Sequence, residues 1–506
     1  MKTFGGMIAL LLVMTACTGG DGESEPPKKT TSTSQASEKP AGLQRDTTPA
    51  EAAWTADLDA IGQPVVVGTT AVVIQRAAGK RLEIVGVDTA TGKQVWAHPF
   101  SPNYAVPGIS LVPNVSRTKG GAERVIFYLA PDKPSANEDD LLTAIVSVDP
   151  ATGEIDQESA KVHATEPVSA CDDGTDVCVK GVVGPTGTYS NLRFDLETGK
   201  FSESSDGAPK DARLIGSAGL FSTGDRPGEK LGVRRAGKTL WSTSLDTLFG
   251  KGYTSDNGWV FAHETGPDRY TGLVGAPNDT VTTADSEKAE FVYELAKQKV
   301  ISFNGKDGTV LWSREGADPC FRATDFDDEQ AVASIDHPIR CLVTGKYTRV
   351  GDVTTPEGIT MTMEGYDPVS GETTWSQRIT DAAAAAYWQD APRVLIRGGT
   401  TVVATLDAGP SLIDTATGKT APVGDETFVC QTGTVDFDYV TPFEYDDRKV
   451  FGRHGTGLLS SCDVNGGPVP GAPTAAAVRE GGIKVGESTY VMATADGLVG
   501  YQLGEG

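Results

Sequence analysis

Two segments of this 506-residue chain carry residue types whose spacing suits ligand chemistry. Residues 232–239 read GVRRAGKT, which matches the spelling of a phosphate-binding loop. Such a loop needs a following helix whose N-terminal N–H groups face the phosphate. Residues 240–245, LWSTSL, instead alternate as a strand does, so we expect no phosphate site here.

The second segment is an acidic cluster formed by Asp325, Asp327, Asp328 and Glu329. The spacing and the central glycine of an EF-hand are absent, which favours a solvated loop. No two of the five histidines lie close together in sequence; they are His98, His163, His263, His337 and His454. No metal-ligand motif is therefore visible, and we predict no bound metal.

Cysteine usage points to an oxidising compartment. Apart from Cys17, six cysteines remain, an even number that suggests disulfides. Six cysteines allow 15 pairings, and order along the chain does not decide among them. We favour neighbours in sequence, because a turn at Gly174 and Thr175 would place the first pair opposite each other across a hairpin. The predicted pairs are Cys171–Cys178, Cys320–Cys341 and Cys430–Cys462.

The N-terminus reads as an export signal. Lys2 precedes an apolar stretch from Phe4 to Ala16, which is shorter than the ~20 residues of a membrane-spanning helix. The sequence then reads Met14, Thr15, Ala16, Cys17 and resembles the lipobox of bacterial lipoproteins, with methionine where leucine is usual. This resemblance implies a signal peptide at residues 1–16, a lipid such as palmitate on Cys17, and attachment to the extracytoplasmic face of the cell membrane.

Residues 17–50 are rich in Thr, Ser, Pro, Glu, Asp and Lys and contain no aromatic side chain. Such a composition cannot bury enough surface to offset the entropy of ordering. We predict that residues 17–50 form a disordered, lipidated linker and that residues 51–506 form the folded domain.

The folded part repeats one motif, an apolar strand that ends at Asp, a Gly four residues later, and a Trp four residues after the Gly. The Asp carboxylate can accept from backbone N–H groups of the turn, and Gly supplies the positive φ that closes the hairpin. A Trp repeated at one position favours packing between repeats over ligand binding. The repeat residues are Asp88, Gly92, Trp96, Asp149, Gly153, Asp195, Gly199, Gly237, Trp241, Gly308, Trp312, Asp367, Gly371, Trp375, Asp414 and Gly418.

The spacing of these motifs and the 60 glycines predict an all-β protein, a single β-propeller of four-stranded blades. We favour eight blades, with seven as the alternative. Residues 53–58 resemble a last strand without its partners, and residues 488–503 resemble the strands that should precede it. The N-terminal strand is therefore expected to complete the last blade. Asp381 and the five alanines after it predict a short helix capped by Asp381.

Over residues 52–504 the repeats resemble the propellers of the pyrroloquinoline-quinone-like (PQQ-like) family, and most of all its uncharacterised actinobacterial lipoproteins. The family includes quinoprotein dehydrogenases, a lipoprotein of outer-membrane barrel assembly, and extracellular sensor domains. Its dehydrogenases stack the quinone between a Trp and a disulfide of adjacent cysteines, beside a calcium ion. This sequence has no adjacent cysteines, so we expect neither PQQ nor calcium as a cofactor.

The net charge of −24 argues against nucleic-acid binding, because an acidic surface repels phosphate. No catalytic motif survives inspection, which favours a role without enzymatic activity. We therefore expect a membrane-anchored binding or scaffold module that engages an envelope protein or a small ligand. A quinone-dependent dehydrogenase or another envelope enzyme is one alternative, and an extracellular sensor module is the other.

Overall fold

The protein was analysed as a computed structural model. It describes residue 43 and residues 45–504, apart from the segments 79–80, 102–112, 131–142, 165–167, 172–173, 185–189, 205–211, 215–218, 225–227, 236, 254–258, 265–267, 276, 282–289, 321–336, 351–352, 387–393, 396–400, 425, 432–436, 439–450 and 453–456. The predicted signal peptide, Cys17, most of the predicted linker and the acidic cluster at Asp325 lie outside the described residues. No helix in the described part of the chain is long and apolar enough to cross a membrane.

A strand at the N-terminal end, β1 (Ala52–Ala56), precedes six blades that follow one another along the chain. Blade 1 contains β2 (Val65–Val67), β3 (Thr70–Ala77), β4 (Arg81–Asp88) and β5 (Gln94–Phe100). Blade 2 contains β6 (Asn114–Arg117), β7 (Glu123–Leu129), β8 (Ala144–Val148) and β9 (Ile155–Glu158). Blade 3 contains β10 (Val162–Ala164), β11 (Ser169–Ala170), β12 (Val177–Val183), β13 (Ser190–Phe194) and β14 (Phe201–Glu203), with β10 and β11 both paired to β12.

Blades 4 to 6 keep the same antiparallel order and add two helical turns and two extra strands. Blade 4 contains β15 (Ala212–Leu214), β16 (Leu220–Thr223), β17 (Lys230–Arg235) and β18 (Lys238–Ser244), followed by α1 (Leu245–Leu248). Blade 5 contains β19 (Trp259–Glu264) and β20 (Arg269–Val274), then, after the extra strands β21 (Asn278–Val281) and β22 (Glu290–Glu294) and a 3-10 turn (Leu295–Lys297), β23 (Lys299–Asn304) and β24 (Val310–Glu315). Blade 6 contains β25 (Ala317–Asp318), β26 (Ile339–Val350), β27 (Val353–Tyr366) and β28 (Thr373–Ile379).

The remaining described elements lead back to the N-terminus. They are α2 (Asp381–Ala386), β29 (Val394–Leu395), β30 (Thr401–Leu406), β31 (Gly409–Asp414), β32 (Thr420–Pro422), β33 (Phe428–Gln431), β34 (Phe437–Asp438), β35 (Phe451–Gly452), β36 (Leu459–Cys462), α3 (Ala475–Gly481), β37 (Ile483–Val485), β38 (Thr489–Thr494) and β39 (Gly497–Gln502). Strand β1 pairs antiparallel with β39, so the two ends of the described chain share one sheet. Six complete blades of consecutive strands are detected among the described residues, and the predicted count of eight, or seven, stays a prediction.

The inner strands are apolar on both faces because each blade is covered by a neighbour on either side. In β3, Val72, Val73 and Ile74 are all buried, and Ile84 and Val85 of β4 are buried beside them. The GVRRAGKT segment that spells a phosphate-binding loop lies largely in β17 and the beginning of β18. As expected, a strand follows it rather than a helix.

The predicted linker extended too far toward the domain. Residues 45–50 pack against α3, where the backbone oxygens of Asp46 and Thr48 accept from the first N–H groups of that helix. Arg45 supplies the reason that a polar segment is ordered. Its guanidinium bonds to Glu426 at 2.8 Å and to Glu480, and lies 4.1 Å from the centre of the Phe428 ring. Paired charges hold this segment together with the burial of Ala50 in the core around α3.

The cap of the alanine-rich helix differs from the prediction by one residue. The hydroxyl of Thr380 accepts from the backbone N–H of Ala383, so Thr380 occupies the capping position of α2. Asp381 begins the helix instead and forms an ion pair with Arg378 at 2.9 Å.

Candidate functional site

The first candidate surface is an insertion sheet, which we define as β21, β22, residues 346–350 of β26 and residues 353–357 of β27. Strands β21 and β22 come from blade 5, and the other two strands are the end of the long β26–β27 hairpin of blade 6. Strand β22 pairs with β26 from Glu290 to Glu294 and joins the two blades. Gly345 has a φ of +92° at a register shift in the hairpin, where the blade ends and the insertion sheet begins.

The insertion sheet lies at the end of the blades opposite to the repeated Asp–Gly turns. In an antiparallel blade, the connection between the second and third strands lies at one end, and the connection between the third and fourth lies at the other. Both insertions occur between second and third strands. Among the described residues, β21 pairs only with β22, so its other edge has no strand beside it.

Aromatic rings span two strands of the insertion sheet. Tyr293 and Tyr347 are directly opposite each other, and their ring centres are 4.5 Å apart in a stacked arrangement. Tyr347 also packs against the apolar core of blade 6. On the other face, Lys346 and Glu357 form an exposed ion pair at 3.0 Å, and Val350 is 44% exposed. Stacking and core contacts fix the sheet to blade 6, while its polar face meets solvent.

The second candidate surface is a hollow of about 450 Å³ between blades 1 and 2, at the end that carries the Asp–Gly turns. Its charged groups already pair with one another. Arg117 bonds to Glu123 at 2.9 Å, and Arg124 lies 3.8 Å from Asp149 and contacts Asp156. Because each guanidinium faces a carboxylate, the hollow offers no net positive charge to an anion.

Three disulfides form between neighbours in sequence: Cys171–Cys178, Cys320–Cys341 and Cys430–Cys462. In blades 3 and 6 the same arrangement recurs, with one cysteine within two residues after a short strand, β11 or β25, and its partner in the strand that pairs with it, β12 or β26. This pairing holds the short first strands in place. No adjacent-cysteine disulfide of the kind that stacks on a quinone is present, because no two cysteines are adjacent in the sequence.

The repeat residues form hairpin turns that are alike in every blade that carries them. The carboxylate of Asp88 accepts from the backbone N–H of Thr91 at 2.8 Å. Equivalent bonds are accepted by the carboxylates of Asp149, Asp195, Asp367 and Asp414. The repeat glycines adopt φ between +67° and +74°; they are Gly92, Gly153, Gly199, Gly237, Gly308, Gly371 and Gly418.

The repeated Trp of one blade packs on the turn of the next blade and donates a hydrogen bond to it. The indole N–H of Trp96 donates to the backbone oxygen of Pro150 at 2.8 Å, and its ring lies against Gly153. Trp241, Trp312 and Trp375 do the same to the turns that contain Gly308, Gly371 and Gly418. Trp54 of β1 packs on Gly92 and donates to the backbone oxygen of Thr89, so the same contact joins the last sheet to blade 1. The fold is a β-propeller.

Comparison with known proteins gives only distant similarities. No protein-family model and no curated protein matches the chain. Among solved structures, the chain is similar to BamB from Moraxella catarrhalis, with 11% identity over 90% of this chain and 100% of that one, at a TM-score of 0.31. A europium-containing methanol dehydrogenase shares 13% identity over 78% and 83% of the two chains, with a TM-score of 0.34. The β-propeller domain of the Trilobed protease from Pyrococcus furiosus shares 12% over 71% and 95%, with a TM-score of 0.32.

One propeller seam uses a residue that the Trp pattern overlooks. In blade 2 the position four residues after Gly153 is Gln157, whose side-chain amide donates to the backbone oxygen of Glu197 at 3.1 Å and lies against Gly199. The spacing from the glycine, rather than the residue type, would have identified it. Lys119 adds ion pairs across the same seam, to Asp195 at 2.5 Å and to the fully buried Asp176 at 3.4 Å. The bond from Lys119 holds the pKa of Asp195 well below its usual range.

None of the described residues forms a group of three or more His, Cys, Asp or Glu side chains placed to hold a metal ion. Of the five histidines, His98 is a structural residue, with Nε2 2.7 Å from the backbone oxygen of Gly153. The repeat residues thus serve the fold, and the insertion sheet is the part of the propeller that departs most from the repeat.

Proposed function

We propose that this propeller is an extracytoplasmic binding module, tethered to the membrane through Cys17, which engages an envelope protein or a small ligand through the insertion sheet. The observation that carries the proposal is the insertion sheet itself. Two neighbouring blades depart from the repeat at the same end and pair with each other through β22 and β26. Connections placed on a rigid scaffold are where binding residues concentrate.

The open edge of β21 suits a partner that adds a strand, because unpaired N–H and C=O groups form a template for an extended segment. The three disulfides support the proposed compartment. Three bonds at separations of 7, 21 and 32 residues suit an oxidising environment outside the cytosol. We retain eight blades as part of the proposal.

The binding role is tested with a variant in which a two-residue Asn-Gly turn replaces residues 346–357. The hairpin below Gly345 is untouched, so the variant should still fold, with a melting temperature lowered by the loss of Tyr347 and of the pairing to β22. Full-length protein and variant are used to capture partners from envelope extracts after crosslinking, with Leu240→Ser, an exposed change on the outer strand of blade 4, as the matched control. Partners held by the full-length protein and by Leu240→Ser, but lost with the hairpin, would support the proposal. Identical capture by all three proteins would refute it.

The tether is tested separately. Cys17→Ala should abolish incorporation of labelled palmitate and move the protein from the membrane fraction to the soluble fraction. Unchanged labelling in this variant would show that Cys17 is not the lipid acceptor.

A further inference from the structure

The seam between blades 2 and 3 is held differently from the seams that contain a Trp. Gln157 stands where four other blades carry the ring, and the fully buried Asp176 bonds to both blades. The backbone N–H of Asp176 donates to the oxygen of Arg117 in β6 at 2.8 Å. Its carboxylate accepts from Nε of Arg193 at 2.9 Å and from the N–H of Leu196 at 3.0 Å. A single residue therefore joins the first strand of blade 2 to the outer hairpin of blade 3.

Asp176 is held in an unfavourable backbone conformation. Its φ is +55°, in the left-handed region that a residue with a Cβ rarely adopts. It lies two positions before Cys178, inside the ring of residues that the Cys171–Cys178 disulfide closes. A disulfide limits the conformations of the chain that it closes. Breaking this disulfide would therefore allow Asp176 to leave the conformation that bonds to blade 2.

The three disulfides differ in their exposure to solvent. The cysteines of two pairs are all 2% exposed or less; they are Cys320, Cys341, Cys430 and Cys462. In the third pair Cys171 is 4% exposed, whereas Cys178 is the only partly exposed cysteine in the described part of the chain. The rate of thiol–disulfide exchange depends on access to the sulfur, so an attacking thiolate reaches the chain first at Cys178.

A hydroxyl group lies beside the accessible sulfur. Oγ of Ser204 is 3.4 Å from Sγ of Cys178. A thiolate formed at Cys178 could only accept a hydrogen bond, and Ser204 is placed to donate it. The surroundings of Cys178 therefore suit both the attack on this disulfide and the release of its thiolate.

We propose that Cys171–Cys178 is a reducible disulfide that controls the seam between blades 2 and 3. A thiolate of a dithiol attacks Sγ of Cys178, the S–S bond breaks, and Sγ of Cys171 leaves with the electron pair and takes up a proton. The second thiol of the reductant then displaces Sγ of Cys178, which is released as a thiolate and protonated, and the dithiol becomes a disulfide. Asp176 then relaxes and its bonds across the seam are lost. The proposal is independent of the binding role of the insertion sheet.

The order of reduction is tested on the folded full chain. The protein is treated with dithiothreitol, quenched with an alkylating reagent and mapped by peptide mass spectrometry. We expect Cys171 and Cys178 to be alkylated at least about tenfold faster than the cysteines of the other two pairs. With glutathione, a monothiol, the mixed disulfide should form on Cys178. Equal rates for the three pairs, or glutathione on Cys171 in place of Cys178, would overturn the proposal.

Control of the seam is tested by amide hydrogen exchange on the same samples. Reduction should speed exchange at least about tenfold in the peptides that contain the N–H groups of Asp176 and Leu196, and reoxidation should restore the slow rate. The turn around Gly308, which Trp241 covers, should not change. Exchange at Leu196 that reduction leaves unchanged, or an equal rise at Gly308, would show that the disulfide does not control this seam.

Two double variants separate this disulfide from the others. Cys171→Ser with Cys178→Ser should exchange rapidly at Leu196 without any reductant. Cys430→Ser with Cys462→Ser removes a buried pair elsewhere and should leave that exchange slow. Rapid exchange at Leu196 in a folded control, or slow exchange in the first variant, would overturn the proposal. If either variant does not fold, the reduced wild-type protein decides by the criterion given above.

Discussion

At the residue scale, five of the seams between described sheets are held by a Trp ring that packs on a glycine of the next turn. The glycine serves two purposes, since it adopts a positive φ and leaves room for the ring. At Gly92 the φ is +69°, and a Cβ there would lie 2.5 Å from the Trp54 ring. Gly68 has a similar φ of +60°, but a Cβ there would meet nothing within 4 Å. A comparison of Gly92 with Gly68 therefore distinguishes the cost of backbone strain from the cost of overpacking.

We therefore predict that Gly92→Ala is more destabilising than Gly68→Ala. Both changes force alanine into the left-handed region, which costs roughly 1–2 kcal/mol. Gly92→Ala also overpacks the seam, which adds about 1–3 kcal/mol. Urea unfolding followed by Trp fluorescence measures the difference. Equal losses of stability would mean that the Trp54 ring moves aside freely and is not tightly packed on Gly92.

At the scale of elements, the sequence predicts the elements that follow the repeat. It does not predict the contacts that single charged residues make with distant parts of the chain. Trp96 and Gly153 were identified by spacing alone. The Cys171–Cys178 disulfide was predicted from a hairpin that set the two cysteines opposite each other, whereas in the structure Cys178 pairs in register with Ser169. Nothing near Arg45 in sequence indicates its partners, because Glu426 and Glu480 are 381 and 435 residues away. The same holds for Arg314 and Glu364, which are 50 residues apart. A polar composition therefore predicts disorder even for a segment that distant charged partners hold in place.

The ordered segment at residues 45–50 depends on Arg45. We predict that Arg45→Met destabilises the protein by about 3–5 kcal/mol, because it leaves buried carboxylates without a cation. Arg76→Met is the matched control, since Arg76 and its partner Asp59 are 43% and 55% exposed. That change should cost at most about 1 kcal/mol. Similar effects for the two variants would show that Arg45 is not buried among its carboxylates.

The Arg45→Met defect should also depend on pH. Burial raises the pKa of Glu480, and Arg45 opposes this shift, so the variant should raise that pKa further. A carboxyl group whose pKa is higher in the folded state takes up its proton on folding, so its destabilising effect fades as pH falls through the raised pKa toward the unfolded value of 4.5. The gap in unfolding free energy between wild type and variant should therefore narrow on acidification. A gap that widens between neutral pH and about pH 5 would contradict this account.

At the scale of the whole molecule, β1 closes the ring of sheets. It pairs with β39, and Trp54 contacts both Gly500 beneath it and Gly92 of blade 1. Complementary partial repeats at residues 53–58 and 488–503 allowed this closure to be predicted. The insertion sheet was not predicted, because its strands follow no repeat and the sequence does not reveal that hairpins of two blades pair.

We predict different outcomes for two N-terminal truncations. Removing residues 1–42 should leave the melting temperature unchanged, because the segment at residues 45–50 and β1 remain. Removing residues 1–57 deletes β1 and Trp54, which should cost about 3–5 kcal/mol and expose the edge of β39. Size-exclusion chromatography should then show self-association that increases with concentration. A monomeric, equally stable product would mean that closure is dispensable.

Closure by β1 also sets an order of events during synthesis. Residues 52–56 are made among the first of the folded part, yet their partners at residues 497–502 are made last. Blades 1 to 6 can form one after another as the chain lengthens, since each is built from consecutive strands. The first strand must wait, unpaired, through the production of some four hundred residues. In a stalled or shortened chain β1 would have no partner strand. Proteases and chaperones would encounter the protein with this strand unpaired.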